Sequence, residues 1–275
     1  MSNHCTVLLT FDFDAELLWA ASYPDTPAYR ARGHYGARVG VPRVLELLAE
    51  HAIRATFFVP GINAERYPDL VRDIHNRGHE IGHHGYLHEY VTKLTPTEER
   101  SALAMGADAL QKVIGVRPQG YRSPAWDLTD ASLQLFREFG FRYDSSMMAD
   151  DFQPYLLEIP GGAMESKTVD SGAVSSGNAI VELPVSWELD DAPYFLFNFH
   201  PYRAGLAAPS QVYEIWQSEF DGAYAAGGVF TLTMHPQIIG RYHRIQLLDR
   251  LIRYIKCRAN VTFGTCGEVA ARFQP

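Results

Sequence analysis

The sequence predicts an α/β fold built on seven or eight mostly parallel strands. Short β-rich runs alternate with amphipathic helical segments almost to the end of the chain, which is typical of parallel strands joined by crossover helices. The 275 residues fit a single α/β barrel as well as two smaller domains. Because no linker, repeat or low-complexity tract divides them, we expect residues 1–275 to form one domain.

The candidate strands are short runs rich in β-branched and aromatic residues. They cover residues 6–11, 55–59, 80–82, 119–122, 141–144, 181–185 and 229–234, with 261–263 as a possible eighth. Helix signals lie between them: Pro42 suits a first turn, Thr95 and Thr129 are candidate N-caps, and Gly115 and Gly140 are candidate helix ends. The order of these signals is therefore strand, helix, strand along most of the chain.

Two stretches lack a clear periodicity. Residues 147–179 are rich in Gly, Ser, Asp and Pro, and we predict a long loop, which in a compact fold is usually functional or mobile. Residues 193–202 are strongly aromatic but are broken by proline and polar groups. They fit partly buried packing as well as a pocket wall or a subunit interface.

Charge and cysteine content narrow the choice of partners. The formal net charge is -8, from 24 Lys and Arg against 32 Asp and Glu, which disfavours nucleic acid or an anionic membrane as the main partner. Basic residues between positions 30 and 43 are interleaved with glycines, and we predict a solvated or substrate-facing loop there. Three cysteines are too few and too odd in number for a disulfide framework, so we expect reduced thiols.

The sequence also indicates a compartment. No apolar stretch approaches the roughly 20 residues of a membrane span, and the first residues lack the basic and long apolar regions of a secretory signal. We therefore expect a cytoplasmic protein with a small-molecule substrate, and no nucleic-acid or membrane partner.

Five polar residues lie at or just past the carboxyl ends of predicted strands: Asp12, His84, Arg122, Asp144 and His235. In parallel α/β folds the loops at this edge of the sheet carry the catalytic groups. The sequence therefore predicts an active site built from these strand ends. Asp144 also fits a simple turn cap, because Ser145 and Ser146 follow it.

The stretch from 79 to 88 holds four histidines, and two carboxylates, Asp12 and Asp14, precede it by some 70 residues. A catalytic divalent ion needs only two imidazoles and one carboxylate from the protein, which leaves positions open for water and substrate. The spacing of His84 and His88 recurs by chance, so the hypothesis of a metal hydrolase depends on the combination with the other strand-end residues. We expect His79 and His83 to support the site or the fold, because neighbouring strand residues point to opposite faces.

In chain order, these blocks resemble the motifs of the polysaccharide deacetylase, or NodB-homology, family of carbohydrate esterases. The matching segments are Thr10-Phe11-Asp12-Phe13-Asp14, Gly78-His79-Glu80-Ile81-Gly82, His84-Gly85-Tyr86-Leu87-His88, Arg122-Ser123-Pro124-Ala125 and Met234-His235-Pro236. The resemblance covers nearly the whole chain, and five motifs in the right order make a chance match improbable.

The resemblance implies a role for each residue. Metal binding falls to three residues, Asp14, His84 and His88. Asp12 is the catalytic base, Arg122 orients it and stabilises its negative charge, and His235 returns a proton to the leaving nitrogen. The ion is expected to be Zn²⁺, although a mixed N/O ligand set also suits Co²⁺, Ni²⁺ or Mn²⁺.

Residues 187–194 and the Phe-Asp-Phe-Asp form of the first motif resemble an intracellular subgroup of peptidoglycan-deacetylase-like proteins and cyclic imidases, with allantoinase-like relatives. This subgroup implies a distorted (β/α) barrel, often assembled as a homotetramer. Gly85 and Ala125 depart from the usual motifs and favour an altered pocket over a long-sugar groove. Trp126 and Trp187 either line that pocket or fill the end of the barrel.

Three functions remain open on the sequence. The first is a metal-dependent hydrolase of non-peptide C–N bonds that acts on a small N-acyl or cyclic imide substrate. The second is a metal-independent, allantoinase-like hydrolase of cyclic ureides, against which the Asp-His-His set argues. The third is a binding protein that kept the fold and lost catalysis, which the retention of Asp12, Arg122 and His235 disfavours.

Overall fold

The computed structural model describes residues 4–20, 26–158, 179–198 and 202–273. All eight predicted strands are present, with ends shifted by a few residues, and three short strands join them. In chain order the strands are β1 (Cys5–Asp12), β2 (Thr56–Val59), β3 (Glu80–His83), β4 (Gly120–Tyr121), β5 (Tyr143–Asp144), β6 (Tyr155–Glu158), β7 (Ala179–Glu182), β8 (Phe197–Asn198), β9 (Arg203–Ala204), β10 (Val229–Met234) and β11 (Val261–Gly264).

Within the described ranges, nine strands form one curled sheet in the order β10, β1, β2, β3, β4, β5, β7, β6, and β11 pairs with the first half of β1. Every pairing in it is parallel except that of β6 with β7. The remaining strands, β8 and β9, form a separate antiparallel hairpin. The predicted α/β fold with a distorted barrel is confirmed, as a half-barrel of mostly parallel strands.

Strands β1 and β10 form the centre of the fold, since every residue in both is buried. A strand covered on both faces is mostly apolar, and even the threonines of these two strands are buried. Bulky side chains from the outer helices, such as Trp216 and Leu248, complete the core against Phe11. The polar groups that follow these strands are thereby held at the carboxyl edge of the sheet.

Helices connect the strands along the chain and pack on the outside of the sheet. They are α1 (Leu17–Ala20), α2 (Pro27–Tyr35), α3 (Val41–Glu50), α4 (Gly61–Arg66), α5 (Pro68–Asn76), α6 (Pro96–Ile114), α7 (Asp130–Phe139), α8 (Ala192–Phe195), α9 (Pro209–Ala226), α10 (Pro236–Ile239), α11 (Tyr242–Lys256) and α12 (Cys266–Ala270). The predicted caps are present. Thr95 and Thr129 each close a capping box, and Gly115 and Gly140 adopt the left-handed conformation at φ 81° and 73°.

Two predicted loops are partly regular. The stretch 147–179 contains β6, which the sequence analysis did not predict because its partner strand, β7, lies more than 20 residues further along the chain. Residues 159–178 lie outside the described ranges. The basic segment 30–43 is helical, with a π-helical turn, Gly36–Gly40, between α2 and α3. Gly40 serves close packing there, because a Cβ would lie 2.1 Å from the carbonyl oxygen of Pro236.

The helices bear on the expected absence of a membrane span. Across the described ranges, no helix is both long enough and apolar enough to cross a bilayer.

Candidate active site

The structure brings all six predicted site residues together at the carboxyl edge of the sheet. Asp12 ends β1 and Asp14 follows two positions later, while the other four lie just after the strand ends of β3, β4 and β10: His84, His88, Arg122 and His235. All six side chains are buried, with at most 6 % of any residue's surface exposed. Residues as far apart in sequence as 12 and 235 therefore share one small volume.

Asp14, His84 and His88 form the first cluster, and one potential ligand atom from each lies within 4.8 Å of the others. Oδ1 of Asp14 is 3.4 Å from Nε2 of His84, and Oδ2 is 3.7 Å from Nε2 of His88. In the described part of the chain neither carboxylate oxygen accepts a hydrogen bond. Because an unpaired buried carboxylate is costly, the arrangement fits a site completed by a cation.

The two histidines are oriented for that task. His84 donates from Nδ1 to the backbone oxygen of Arg122 at 2.7 Å, which leaves Nε2 facing Asp14. Burial lowers the pKa of His88 to about 4, against the opposing charge of Asp14. A neutral imidazole with a free lone pair is the form that ligates metals. For Asp14, burial acts to raise the pKa, but the facing His88 and His84 outweigh it and hold the pKa of that carboxyl below its usual range.

The loop that carries His84 and His88 has an unusual backbone. His88 adopts φ 59°, a left-handed conformation that costs a non-glycine residue on the order of 1 kcal/mol or more. The loop is tied to α4, since the backbone nitrogens of Gly61 and Ile62 donate to the oxygens of Gly85 and Tyr86, each at 3.0 Å. The fixed loop offsets the cost at His88 and presents its ring to Asp14.

Gly85 has a backbone reason for its departure from the usual motif. Its φ is +72°, and a Cβ would lie 2.9 Å from Oε2 of Glu89, so a serine or threonine would be strained and crowded. Gly85 does not line the active-site pocket, whereas Ala125 does. That both departures alter the pocket stays a prediction, to which Ala125 contributes by its position in the lining and Gly85 does not.

Asp12 is held by Arg122, whose guanidinium is fully buried. Nη1 of Arg122 donates to Oδ1 of Asp12 at 2.9 Å and to Oγ1 of Thr10 at 2.8 Å. Its Nε and Nη2 donate to the backbone oxygen and the hydroxyl of Ser145, at 2.9 and 2.8 Å. Because these bonds fix the guanidinium, Asp12 keeps its second oxygen, Oδ2, for the cavity, 3.9 Å from Nε2 of His84.

His235 belongs to a second cluster with Asp190 and Asp191. Its Nδ1 and backbone nitrogen donate to the two oxygens of Asp191, at 2.7 and 3.0 Å, and its Nε2 lies 3.6 Å from Oδ2 of Asp14. Burial alone would lower the pKa of His235, but the charges of Asp190 and Asp191 outweigh it and raise that pKa well above its usual value. The imidazole is thus held as a proton donor that points at the first cluster.

Sequence reasoning missed Asp190 and Asp191 as site residues. Both are buried, and Asp191 orients His235 across 44 positions of sequence. The available signal was two consecutive carboxylates in a non-helical stretch between two predicted strands. This pair of carboxylates does not indicate in the sequence that Asp191 contacts His235.

A cavity of about 110 Å³ opens above both clusters. Its lining includes the polar side chains Asp12, His84, His88, Tyr90, Asp190, Arg203 and His235, and its wall includes Trp126 and Trp187. These two rings stack on each other with centroids 4.3 Å apart and planes 30° apart. Of the two positions considered for the tryptophans, the structure supports the pocket wall.

The remaining candidates support the fold. His79 accepts a hydrogen bond from the backbone nitrogen of Ala55, and His83 bonds the oxygen of Leu103 and the nitrogen of Gly85. Asp144 is more than the predicted turn cap, because it is fully buried and faces Glu182 of the neighbouring strand. Of the aromatic stretch 193–202, Leu196 lines the cavity and residues 199–201 lie outside the described ranges.

Sequence comparison defines the class of this protein. The family model described as Polysaccharide deacetylase matches residues 3–143, slightly more than half of the chain. The chain therefore belongs to the polysaccharide deacetylase family, which supports a hydrolase that acts on C–N bonds.

Individual relatives match over almost the whole length. The chain is 30 % identical to a peptidoglycan deacetylase of Helicobacter pylori, over 99 % of this chain and 97 % of the relative. The crystal structure of a polysaccharide deacetylase homologue from Mycobacterium smegmatis superposes with a TM-score of 0.87 at 36 % identity, covering 99 % of this chain and 91 % of that one. PuuE allantoinase shares the fold, with a TM-score of 0.81 at 22 % identity over 98 % of this chain and 90 % of its own.

Proposed function

We propose that this protein is a metal-dependent hydrolase of non-peptide amide or imide bonds that acts on a small N-acyl or cyclic imide substrate. The observation that carries the proposal is the buried Asp14 carboxylate, with both oxygens free of hydrogen bonds and turned toward Nε2 of His84 and His88. A carboxylate in this position suits a cation, and the two imidazoles supply the other ligands that a catalytic site needs.

Asp14, His84 and His88 would hold the ion, which we propose to be Zn²⁺, with Co²⁺, Ni²⁺ and Mn²⁺ as alternatives for this donor set. When bound, the ion supplies Lewis-acid polarisation of the scissile carbonyl and makes water a stronger acid. An amide is a poor electrophile, so a base and an acid must act beside it. The chain offers a candidate base, Asp12, and a candidate acid, His235, beside the cluster.

Asp12 is the proposed base. Its Oδ1 is occupied by Arg122, so Oδ2 is the atom that accepts the proton of the attacking water. Arg122 does not touch the substrate; it fixes the carboxylate and offsets its negative charge in a buried environment. The base therefore enters the reaction already oriented.

His235 is the proposed acid. Asp191 holds the proton on Nδ1 and stabilises the imidazolium, so Nε2 delivers its own proton to the leaving nitrogen. Asp190, whose Oδ1 lies 3.7 Å from Nδ1 of His235, adds a second negative charge to the same end of the ring. After the transfer the neutral imidazole regains a proton from solvent.

The size of the cavity supports a small substrate. A cavity of about 110 Å³ beneath a stacked tryptophan pair fits a small compound better than a glycan chain, which needs an open groove. The H. pylori relative is named for a glycan substrate, so the comparison between the two substrate classes is the decisive one.

A substrate panel with metal analysis tests the proposal. The protein, purified without added metal and then reloaded with Zn²⁺, is assayed with succinimide, glutarimide, hydantoin, N-acetylglucosamine and its oligomers. We expect turnover only with metal and highest kcat/KM on a small compound. Equal turnover after chelation would favour the metal-independent alternative, no turnover of any compound would favour a binding protein, and kcat/KM rising with oligosaccharide length would overturn the small-substrate claim.

We also propose that the protein assembles as a homo-oligomer, with a tetramer favoured by resemblance to the subgroup. Tyr202 and Leu206, which flank Arg203 in the chain, are 71 % and 63 % exposed, and a neighbouring subunit would cover them. Light scattering on the purified protein gives the mass directly; a monomer at micromolar concentration would contradict the proposal.

A further inference from the structure

Arg203 stands apart from the other residues around the active-site cavity. The other titratable side chains of the lining are carboxylates, histidines and Tyr90, and among the described residues that line it Arg203 is the one arginine or lysine. It lies on β9 at an exposed position. Its side chain makes no hydrogen bond or ion pair with any described residue. A cationic side chain at the mouth of an acidic pocket therefore has its donors free.

The backbone that carries Arg203 is firmly placed. In the β8–β9 hairpin Asn198 pairs with Arg203, and Oδ1 of Asn198 accepts from the hydroxyl of Tyr29 at 3.0 Å and from Nη1 of Arg32 at 3.2 Å. Arg32 also donates from Nη2 to the backbone oxygen of Phe197 at 2.7 Å. Helix α2 thus fixes the hairpin beside the cavity.

Glycine at 205 brings β9 close to the cavity wall. A Cβ there would lie 2.9 Å from the backbone nitrogen and oxygen of Leu196, which itself lines the cavity. A larger residue would push the hairpin away from the site. The position of Arg203 over the pocket is therefore a product of this close approach.

The charge balance of the cavity says what Arg203 could bind. Asp12 and Asp190 would repel an anionic ligand, the proposed cation and the His235 imidazolium offset those charges, and the guanidinium attracts the ligand from the mouth. A guanidinium presents its N–H groups in a planar fork that matches the two oxygens of a carboxylate. The wall beside it is apolar, with Leu18, Ala192 and Leu196, so a short aliphatic spacer would fit between the two charged groups.

We propose that Arg203 binds a carboxylate on the substrate, remote from the bond that is cleaved. Resting on the proposed function, this narrows the substrate class to small N-acyl or cyclic imide compounds that carry an acid group. Arg203 is then a specificity-determining residue: it acts on binding, and the proton transfers at Asp12 and His235 proceed without it.

Matched substrate pairs test the inference. N-acetylglycine and N-acetylglycinamide differ in the acid group alone, as do hydantoin-5-acetic acid and its primary amide. We expect the Zn²⁺-loaded protein to prefer the acid of at least one pair. Arg203→Met should raise KM for that acid about 10- to 100-fold, the range of a charge-assisted hydrogen bond. It should leave kcat and the neutral compound nearly unchanged, and Arg203→Lys should retain part of the preference.

Arg72→Met is the matched control, because it removes one exposed arginine that pairs with Asp69 on α5, away from the cavity. It should not alter the preference for acid over amide. An equal effect of Arg203→Met on acid and amide, or no effect on either, would overturn the inference. Thermal unfolding of each variant shows whether the fold is retained, and Arg203→Lys keeps the test decisive should Arg203→Met be unstable.

A binding arm separates failure of this inference from failure of the proposed function. In the Zn²⁺-loaded Asp12→Asn background, calorimetry measures the affinity for N-acetylglycine with and without Arg203→Met. If the wild type hydrolyses neither compound but Arg203→Met weakens binding of the acid, the proposed reaction fails and the carboxylate site stands. If hydrolysis occurs but Arg203→Met does not change the affinity for the acid, the inference about the carboxylate site is wrong and the proposed function stands.

Discussion

Two buried clusters of histidine and aspartate border the same cavity, and they differ in whether their carboxylate oxygens accept hydrogen bonds. The oxygens of Asp14 accept no hydrogen bond in the described structure, whereas both oxygens of Asp191 accept from His235. The first arrangement fits the cation proposed above, whereas in the second His235 already donates to Asp191. Neighbouring histidines and aspartates can therefore form either a candidate metal site or a proton donor. The hydrogen bonds that the carboxylate oxygens accept distinguish the two.

The largest expected effect comes from breaking the first cluster. His88→Ala should abolish both bound metal and turnover, because two protein ligands are too few for a weakly held ion. Asp191→Asn, which breaks the second cluster, should leave metal content unchanged. Elemental analysis of both variants measures the contrast, with His51→Ala as a control because His51 pairs with Asp249 outside the cavity. Stoichiometric metal in His88→Ala would refute the assignment of the ligands.

The two aspartates of the first motif provide the next contrast. Asp12→Asn should keep the metal and lower kcat by at least about a hundredfold, the usual scale for a lost general base. Asp14→Asn should lose the metal. If metal instead disappears from Asp12→Asn and activity survives in Asp14→Asn, the two roles are exchanged.

The second cluster is tested by the leaving group. His235→Ala should strongly reduce amide hydrolysis and largely spare an activated aryl ester, because a phenolate leaves without a proton and an amine does not. The ratio of the two rates is the readout. An equal loss on both substrates would mean that His235 positions the substrate or stabilises the oxyanion instead.

The smallest expected effect concerns Asp144 and Glu182, a buried acid pair without a histidine. Burial raises the pKa of Asp144 to about 6 and, together with the charge of Asp144, raises that of Glu182 well above its usual value. Carboxyls with raised pKa values stabilise the fold at low pH, and this contribution is lost as the pH rises from about 4 through the folded pKa values.

Glu182→Gln should therefore reduce the loss of stability between pH 5 and pH 8, by on the order of 1 kcal/mol. Oε1 of Glu182 accepts hydrogen bonds from the backbone nitrogens of Ser146 and Met147, at 2.9 Å each. The amide of glutamine keeps an oxygen that can accept the same two bonds. Denaturant unfolding at the two pH values gives the difference. A pH dependence identical to that of the wild type would show that the pair is not a source of it.

The fold and most of the site could be predicted because their signals are local. Strands β1 and β10 are short, mostly apolar runs. Asp12 ends the first and His235 directly follows the second. The contact of Asp191 with His235 could not be predicted, since it joins residues whose neighbours in sequence show nothing of each other. Strand β6 was missed for the same reason: its pairing with β7 exists only in the folded sheet.

The pairing of β1 bears on how the active site assembles during synthesis. Thr10 on β1 bonds Thr233 on β10, 223 positions later, and β11 pairs with the start of β1. A ribosome therefore releases β1 and its other neighbour, β2, long before β10 and β11 exist, and contacts at such separation form slowly. Asp12 and Asp14 must wait for β10 and β11 before their surroundings are complete. The nascent chain would thus be unable to close its catalytic pocket until nearly all of these strands had emerged.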